Sequence, residues 1–227
     1  MCLINYRNIP GSSKVFRTGN IGDISTSDCN WLKENQITTY VDLRSHNEFC
    51  VNSFCTNREI TYKCFDVDNS HDSYLIEKPF SEHYVKYYLQ MLETCKSEIK
   101  KFFMYLGFTK DERIVYGCSL GKDRTGVFTY LLLSFMGIEY DQIKEDYIKS
   151  VYELASCALV TSYYNKLGKN DYKERLEASQ DCIDVFNKKF IEKYSCVDSY
   201  LKSIGMKDFE RIMLYEKKEK YFDLEKK

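Results

Sequence analysis

The chain has 227 residues, 44% hydrophobic and 30% charged, enough to bury the core of an ordinary soluble α/β domain. Its 33 basic and 34 acidic residues leave a net charge of −1, which excludes a bulk attraction to nucleic acid. The longest apolar run, "VFTYLLLSFMGI", has 12 residues and is too short to cross a bilayer. The N-terminus "MCLINYRNIPGSS" has no basic stretch leading into an apolar core, so no signal peptide is expected, and the expected location is cytoplasmic without stable membrane insertion.

In chain order, "KVFRTG" (14–19) predicts a short strand ending at Gly19. "STSDCNWLKENQ" opens with capping residues and predicts a helix of about three turns, with Trp31 and Leu32 inward. "ITTYVDLR" (37–44) and "EITYKCFDVD" (59–68) are strand-like runs, and 81–103 carries apolar residues at the spacing of one long amphipathic helix. "RIVYGCS" (113–119) is a further strand. The nearly all-apolar run 124–137 is a buried helix closed by Gly137. Everything downstream is helical in pattern, and the charged terminal "EKKEKYFDLEKK" is expected to be a solvated, fraying end. Strands alternating with helices predict an α/β fold, a central, mostly parallel sheet flanked by helices on both faces, with a helical C-terminal half. One domain over 1–227 is expected, with a sheet-forming core to about 150 and a helical extension over about 151–227. Ten cysteines without a CxxC pair, and only three histidines, give no zinc spacing. No metal or cofactor is expected, and the thiols are expected to be mostly buried and free.

Between the strand at 113–119 and the helix at 124–137 lies "GCSLGKDRTG" (117–126). A Gly-rich turn at that place is a phosphate cradle. The nucleotide version fails on spacing: three residues lie between Gly117 and Gly121 where four are needed, and Asp123, not Ser or Thr, follows Lys122. The cysteine version fits. Five residues separate Cys118 from Arg124, a loop length whose amides converge on an anion, with the helix dipole added to the same point. Cys118 in that field is expected as thiolate, the nucleophilic form. Arg124 supplies a fork for two phosphate oxygens, and Thr125 can donate its hydroxyl to the sulfur.

The loop resembles the signature of protein tyrosine phosphatases, in the bacterial and fungal branch reading His-Cys-x-x-Gly-Lys-Asp-Arg-Thr-Gly. Segments "INYRNIPG", "KVFRTGNIGDIS", "ITTYVDLRSHNEF", "MGIEYDQIKEDYIKS" and "SCVDSYLKSIGM" look like further family segments in the right order. The resemblance implies a phosphatase of tyrosine or dual specificity, working through a cysteinyl-phosphate at Cys118 with Arg124 as phosphate binder. It implies Ser119, Leu120, Gly121, Lys122 and Asp123 at the pocket, with Arg44 and Glu48 nearby. The alternative for Arg44 and Glu48 is a structural ion pair holding the loop beside the sheet. The expected partner is a phosphorylated protein or a lipid or inositol phosphate, and Lys122 offers charge for a second phosphate. Where the family carries histidine this chain has Gly117, which predicts weaker or alkaline-shifted activity and motivates a rival reading as a phosphate-binding module that has lost catalysis. A sulfur-transfer enzyme is a third reading.

A phosphate monoester needs an acid for its leaving oxygen. No proline follows Trp31, the single tryptophan, so the Trp-Pro-Asp loop of many tyrosine phosphatases is absent. The candidates are Asp123, first by the branch motif, then Asp66, with Asp68 beside it, at the carboxyl end of a strand where ligands gather. The amphipathic stretch 168–193 lies where the family places pocket-covering helices; packing against the sheet is its alternative.

Overall fold

The computed structural model describes residues 3–20, 25–48, 60–67, 79–110, 113–168, 171–177 and 181–222. Five strands form one sheet: β1 (Leu3–Asn8), β2 (Val15–Asn20), β3 (Thr39–Asp42), β4 (Thr61–Cys64) and β5 (Ile114–Cys118). Their spatial order is β1-β2-β5-β3-β4, and all neighbours are parallel except β1, which runs antiparallel to β2. All five residues of β5 are buried, as a central parallel strand covered on both faces requires. Its side chains alternate: Ile114 and Tyr116 join the larger core cluster, while Val115 joins the cluster beneath Leu32 of helix α1 (Thr26–Glu34). Ser25 caps α1 through a reciprocal capping box with Asp28, a device worth about 1 kcal/mol.

The larger cluster is built from α2 (Phe80–Thr94), α3 (Lys96–Phe108), α4 (Asp123–Phe135) and the downstream helices, notably α8 (Cys182–Tyr194). Phe186 of α8 makes edge contacts with Tyr88 of α2 and Tyr130 of α4. A third, smaller cluster joins Ile4 of β1 to Val151 and Leu154 of α5 (Tyr140–Ser156), Val160 of α6 (Ala158–Lys166) and Leu176 of α7 (Tyr172–Glu177). The C-terminal turns are α9 (Val197–Ser203), α10 (Asp208–Glu216) and α11 (Lys218–Tyr221). Among the described residues no helix is long and apolar enough to cross a membrane.

Two expectations need correction, and two features lay outside them. The helix expected over 81–103 is two, because Cys95 ends α2 and starts α3; the buried set Met91, Leu92, Cys95, Ile99 and Phe102 continues in phase through the break, so periodicity carries no sign of it. Strand β1 had no strand expectation: only Leu3 and Ile4 are buried apolar residues, Asn5 lies at φ 54, and the register shifts between Ile4 and Arg7. The stretch expected to fray is packed as far as it is described, to Phe222: Tyr221 and Phe222 are buried and the Ser12 hydroxyl donates to the Tyr221 carbonyl. Of the thiols, Cys29 is disulfide-bonded and Cys196 is free but exposed, while Cys95, Cys118 and Cys182 are free and buried as expected.

Candidate active site

The loop follows β5, with Cys118 only 3% exposed and α4 starting at Asp123. It lies directly on the backbone at the end of β2. Gly121 has φ +68, and a Cβ there would stand 2.5 Å from the Thr18 carbonyl, so this place is closed to any other residue on both grounds. At Gly117 a Cβ would meet the same carbonyl at 2.3 Å. The histidine that the loop pattern usually carries there has no room against this β2. Gly117 is therefore a steric consequence of how tightly β2 and β5 pair.

Beneath the loop sits a polar network without counterpart in the sequence reading. Asn5 Nδ2 donates to the Leu120 and Gly121 carbonyls, each at 3.1 Å, and Arg17 Nη2 donates to the Gly121 carbonyl at 2.6 Å. Because a trans peptide points its N–H opposite to its C=O, these bonds turn the amides of Gly121 and Lys122 away from β2, as an anion nest needs. Arg17 is wholly buried and ion-paired to Asp146 of α5. The same carboxylate takes Arg7 Nε at 2.7 Å, while Arg7 Nη2 reaches Ser150 at 2.7 Å. Burial, with the neighbouring Arg17 charge, lowers the Arg7 pKa from its ordinary value, and Asp146 opposes that. Two guanidiniums thus share one carboxylate under the loop. The available signal was an arginine inside a fully buried strand, in "VFRTGN".

On the other side, Arg124 is 3% exposed and held by Glu48. Nη1 bonds Oε2, and Nη2 bonds Oε1 at 2.7 Å, the paired geometry that fixes a guanidinium plane. Ser119 Oγ donates to Glu48 Oε1 at 2.9 Å, and the Ser45 amide donates to Oε2 at 2.9 Å. Burial pushes the Glu48 carboxyl up, but the Arg124 hydrogen bonds and charge, then the Ser45 and Ser119 bonds, outweigh it and hold the pKa at about 2. Thr125 Oγ1 lies 3.1 Å from Cys118 Sγ, placed to donate to the sulfur.

Lys122 is 1% exposed and points into the protein. Its ammonium pairs with Asp123 Oδ1 at 2.6 Å and stands 4.2 Å from the centre of the Tyr84 ring. Burial disfavours the charge, yet Asp123, Tyr147 and Tyr84 raise the Lys122 pKa well above its ordinary value. Asp123 also accepts from the Tyr88 hydroxyl.

The loop residues and Glu48 are thus brought together, while the other expected positions sit in different roles. Arg44 pairs with Asp42 at 2.7 Å, so Arg44 and Glu48 are both ion-paired, to different partners. Leu120 packs half-buried against the Ile4–Val151 cluster. Asp66 is exposed after β4 and accepts from the His46 amide at 3.1 Å; Asp68 lies outside the described residues. Within 168–193, α8 packs on α2 and α4 through Phe186.

The sequence profile of the tyrosine phosphatase family matches residues 11–217. A curated tyrosine-protein phosphatase from Nostoc commune is 25% identical over 150 residues, covering 64% of this chain and 51% of that protein. The chain spans about half the length of that relative.

Proposed function

The chain belongs to the tyrosine phosphatase family, and from that premise we propose that it hydrolyses phosphate monoesters with Cys118 as nucleophile. The observation that carries this is the convergence of Thr125 Oγ1 on Cys118 Sγ at 3.1 Å with an Arg124 fork already squared by Glu48. The Cys118 thiolate attacks phosphorus, forming the S–P bond as the ester P–O bond breaks. Arg124 and the loop amides bind the three equatorial oxygens as charge spreads over them. Asp123 gives its proton to the departing oxygen. Water then cleaves the cysteinyl-phosphate, its proton passing to Asp123, and Thr125 stabilises the sulfur as it leaves.

Among substrates, phosphotyrosine is favoured over polyphosphoinositides. Lys122, the residue that offered charge for a second phosphate, is buried against Tyr84 and committed to Asp123. Phosphoserine and phosphothreonine hydrolysis is the weaker activity, because an alkoxide leaves more slowly than a phenolate. The rival reading, a binding module without catalysis, rested on Gly117. The packing of Gly117 on Thr18 gives that glycine a structural cause, and Cys118, Arg124 and Thr125 are all present. Para-nitrophenyl phosphate turnover that vanishes in Cys118→Ser is the expected result. A Cys118→Ser protein as active as the wild type refutes the nucleophile, and a wild type that binds vanadate without turnover establishes the binding module.

A further inference from the structure

We propose that Tyr88 is a positioning residue for Asp123, anchoring one carboxyl oxygen so that the transferable proton is confined to the other. This rests on Asp123 as proton donor and carries that assignment one step further. Both hydrogen-bond donors of the Asp123 carboxylate among the described residues, Lys122 Nζ and the Tyr88 hydroxyl, converge on Oδ1. Oδ2 has no hydrogen-bond partner among the described residues, and the side chain is 19% exposed.

A carboxylate accepts only, so the Tyr88 hydroxyl must spend its single proton on Oδ1. The Tyr147 hydroxyl, 2.7 Å away, must then be the donor to Tyr88. The bond directions therefore run from Tyr147 on α5, through Tyr88 on α2, to Oδ1 at the start of α4. With two donors aimed at Oδ1, a proton on Asp123 has only Oδ2 to occupy. In the first half-reaction that proton leaves Oδ2 for the ester oxygen as the P–O bond breaks, and Lys122 and Tyr88 hold the carboxylate left behind. In the second half-reaction, a proton from the attacking water returns to Oδ2.

The surroundings keep this arrangement fixed. Burial, with the Asp123 charge, raises the Tyr88 pKa well above the usual phenol range, and burial pushes Tyr147 up to about 12. The other groups near Asp123 are Lys122, Tyr84 on α2, and Cys182 on α8 with Asp181 before it; burial pushes the Cys182 thiol up to about 12. Tyr88 has its ring among Tyr84, Tyr87 and Phe186, where a phenylalanine would fill the same space, and its hydroxyl hydrogen-bonds only to Asp123 and Tyr147 among the described residues.

The test is Tyr88→Phe assayed on aryl phosphates spanning a range of leaving-group pKa, beside Asp123→Asn, the double variant and Tyr147→Phe. Expected is a fall in kcat of about tenfold for poor leaving groups, little loss for good ones, unchanged vanadate affinity and a basic limb of the pH profile moved upward. Tyr147→Phe, which leaves Tyr88 in place, should show the same pattern more weakly. On Asp123→Asn, Tyr88→Phe should cost nothing further. An equal loss on all leaving groups, or a full loss persisting on Asp123→Asn, overturns the anchor alone. If Asp123→Asn leaves the leaving-group dependence as in wild type, the proton-donor assignment falls and the anchor falls with it.

Discussion

Two guanidinium–carboxylate pairs flank the loop from Cys118 to Arg124, and they differ in what they grip. Behind it, Arg17 and Asp146 have side chains 1% and 4% exposed, and Arg17 also takes a backbone carbonyl of the loop. In front, the Arg124 side chain is 4% exposed but that of Glu48 is 22% exposed, and both carboxylate oxygens grip the guanidinium. The rear pair shapes the loop backbone. The front pair aims the Arg124 side chain, which the proposed mechanism brings against phosphate. One kind of ion pair thus serves two purposes, and the difference lies in burial: a dry pair sets a framework, while a partly wet one orients a working group.

The largest expected break in that comparison is Asp146→Ala. It leaves Arg7 and Arg17 buried without their shared carboxylate, at a cost of about 3–5 kcal/mol, read as a lowered midpoint in urea. Activity should fall further than stability alone accounts for, because the Gly121 carbonyl loses its aligned donor. Next is Gly117→Ala, which sets a methyl group 2.3 Å from the Thr18 carbonyl and should cost about 1–3 kcal/mol. The histidine variant is expected to be worse, so placing the loop pattern's histidine here should not raise activity without a shift of β2. A Gly117→His protein of full stability and faster turnover would show that the strand spacing is not what excludes the side chain.

A smaller stability effect belongs to Glu48→Gln, about 1–3 kcal/mol near neutral pH, because the amide oxygen still accepts from Arg124 while the buried guanidinium loses its countercharge. Function should lose as well, with kcat/KM lowered by about tenfold through a disoriented Arg124. It also has a pH signature. The folded pKa of Glu48 is held at about 2, below its ordinary 4.5, so the pair stabilises the protein above 4.5 and that contribution fades as pH falls from 4.5 toward 2. Acid titration of stability should therefore be shallower in Glu48→Gln than in wild type over that window.

The parts of this site that the sequence made readable are the local ones. Cys118, Arg124 and Thr125 stand at fixed spacing between a strand and a buried helix, and both elements form where their apolar runs place them. The alternating pattern of strands and helices likewise implied the parallel sheet. What stayed hidden depends on contacts distant in the chain. Asn5 and Arg17 reach Leu120 and Gly121 from more than 100 positions away, and Tyr88 reaches Asp123 across 35. No local periodicity encodes such pairings, because they follow from the order in which strands sit in the sheet. The absent histidine was readable as a departure, but its cause, the Thr18 carbonyl on the neighbouring strand, was not.

The most direct test of the central claim is acid-quenched turnover of an aryl phosphate, followed by mass spectrometry of the loop peptide. The account predicts one phosphoryl group on Cys118 during turnover, released by water and absent in Cys118→Ser. A phosphoryl group on any other residue, or undiminished turnover in Cys118→Ser, would contradict it.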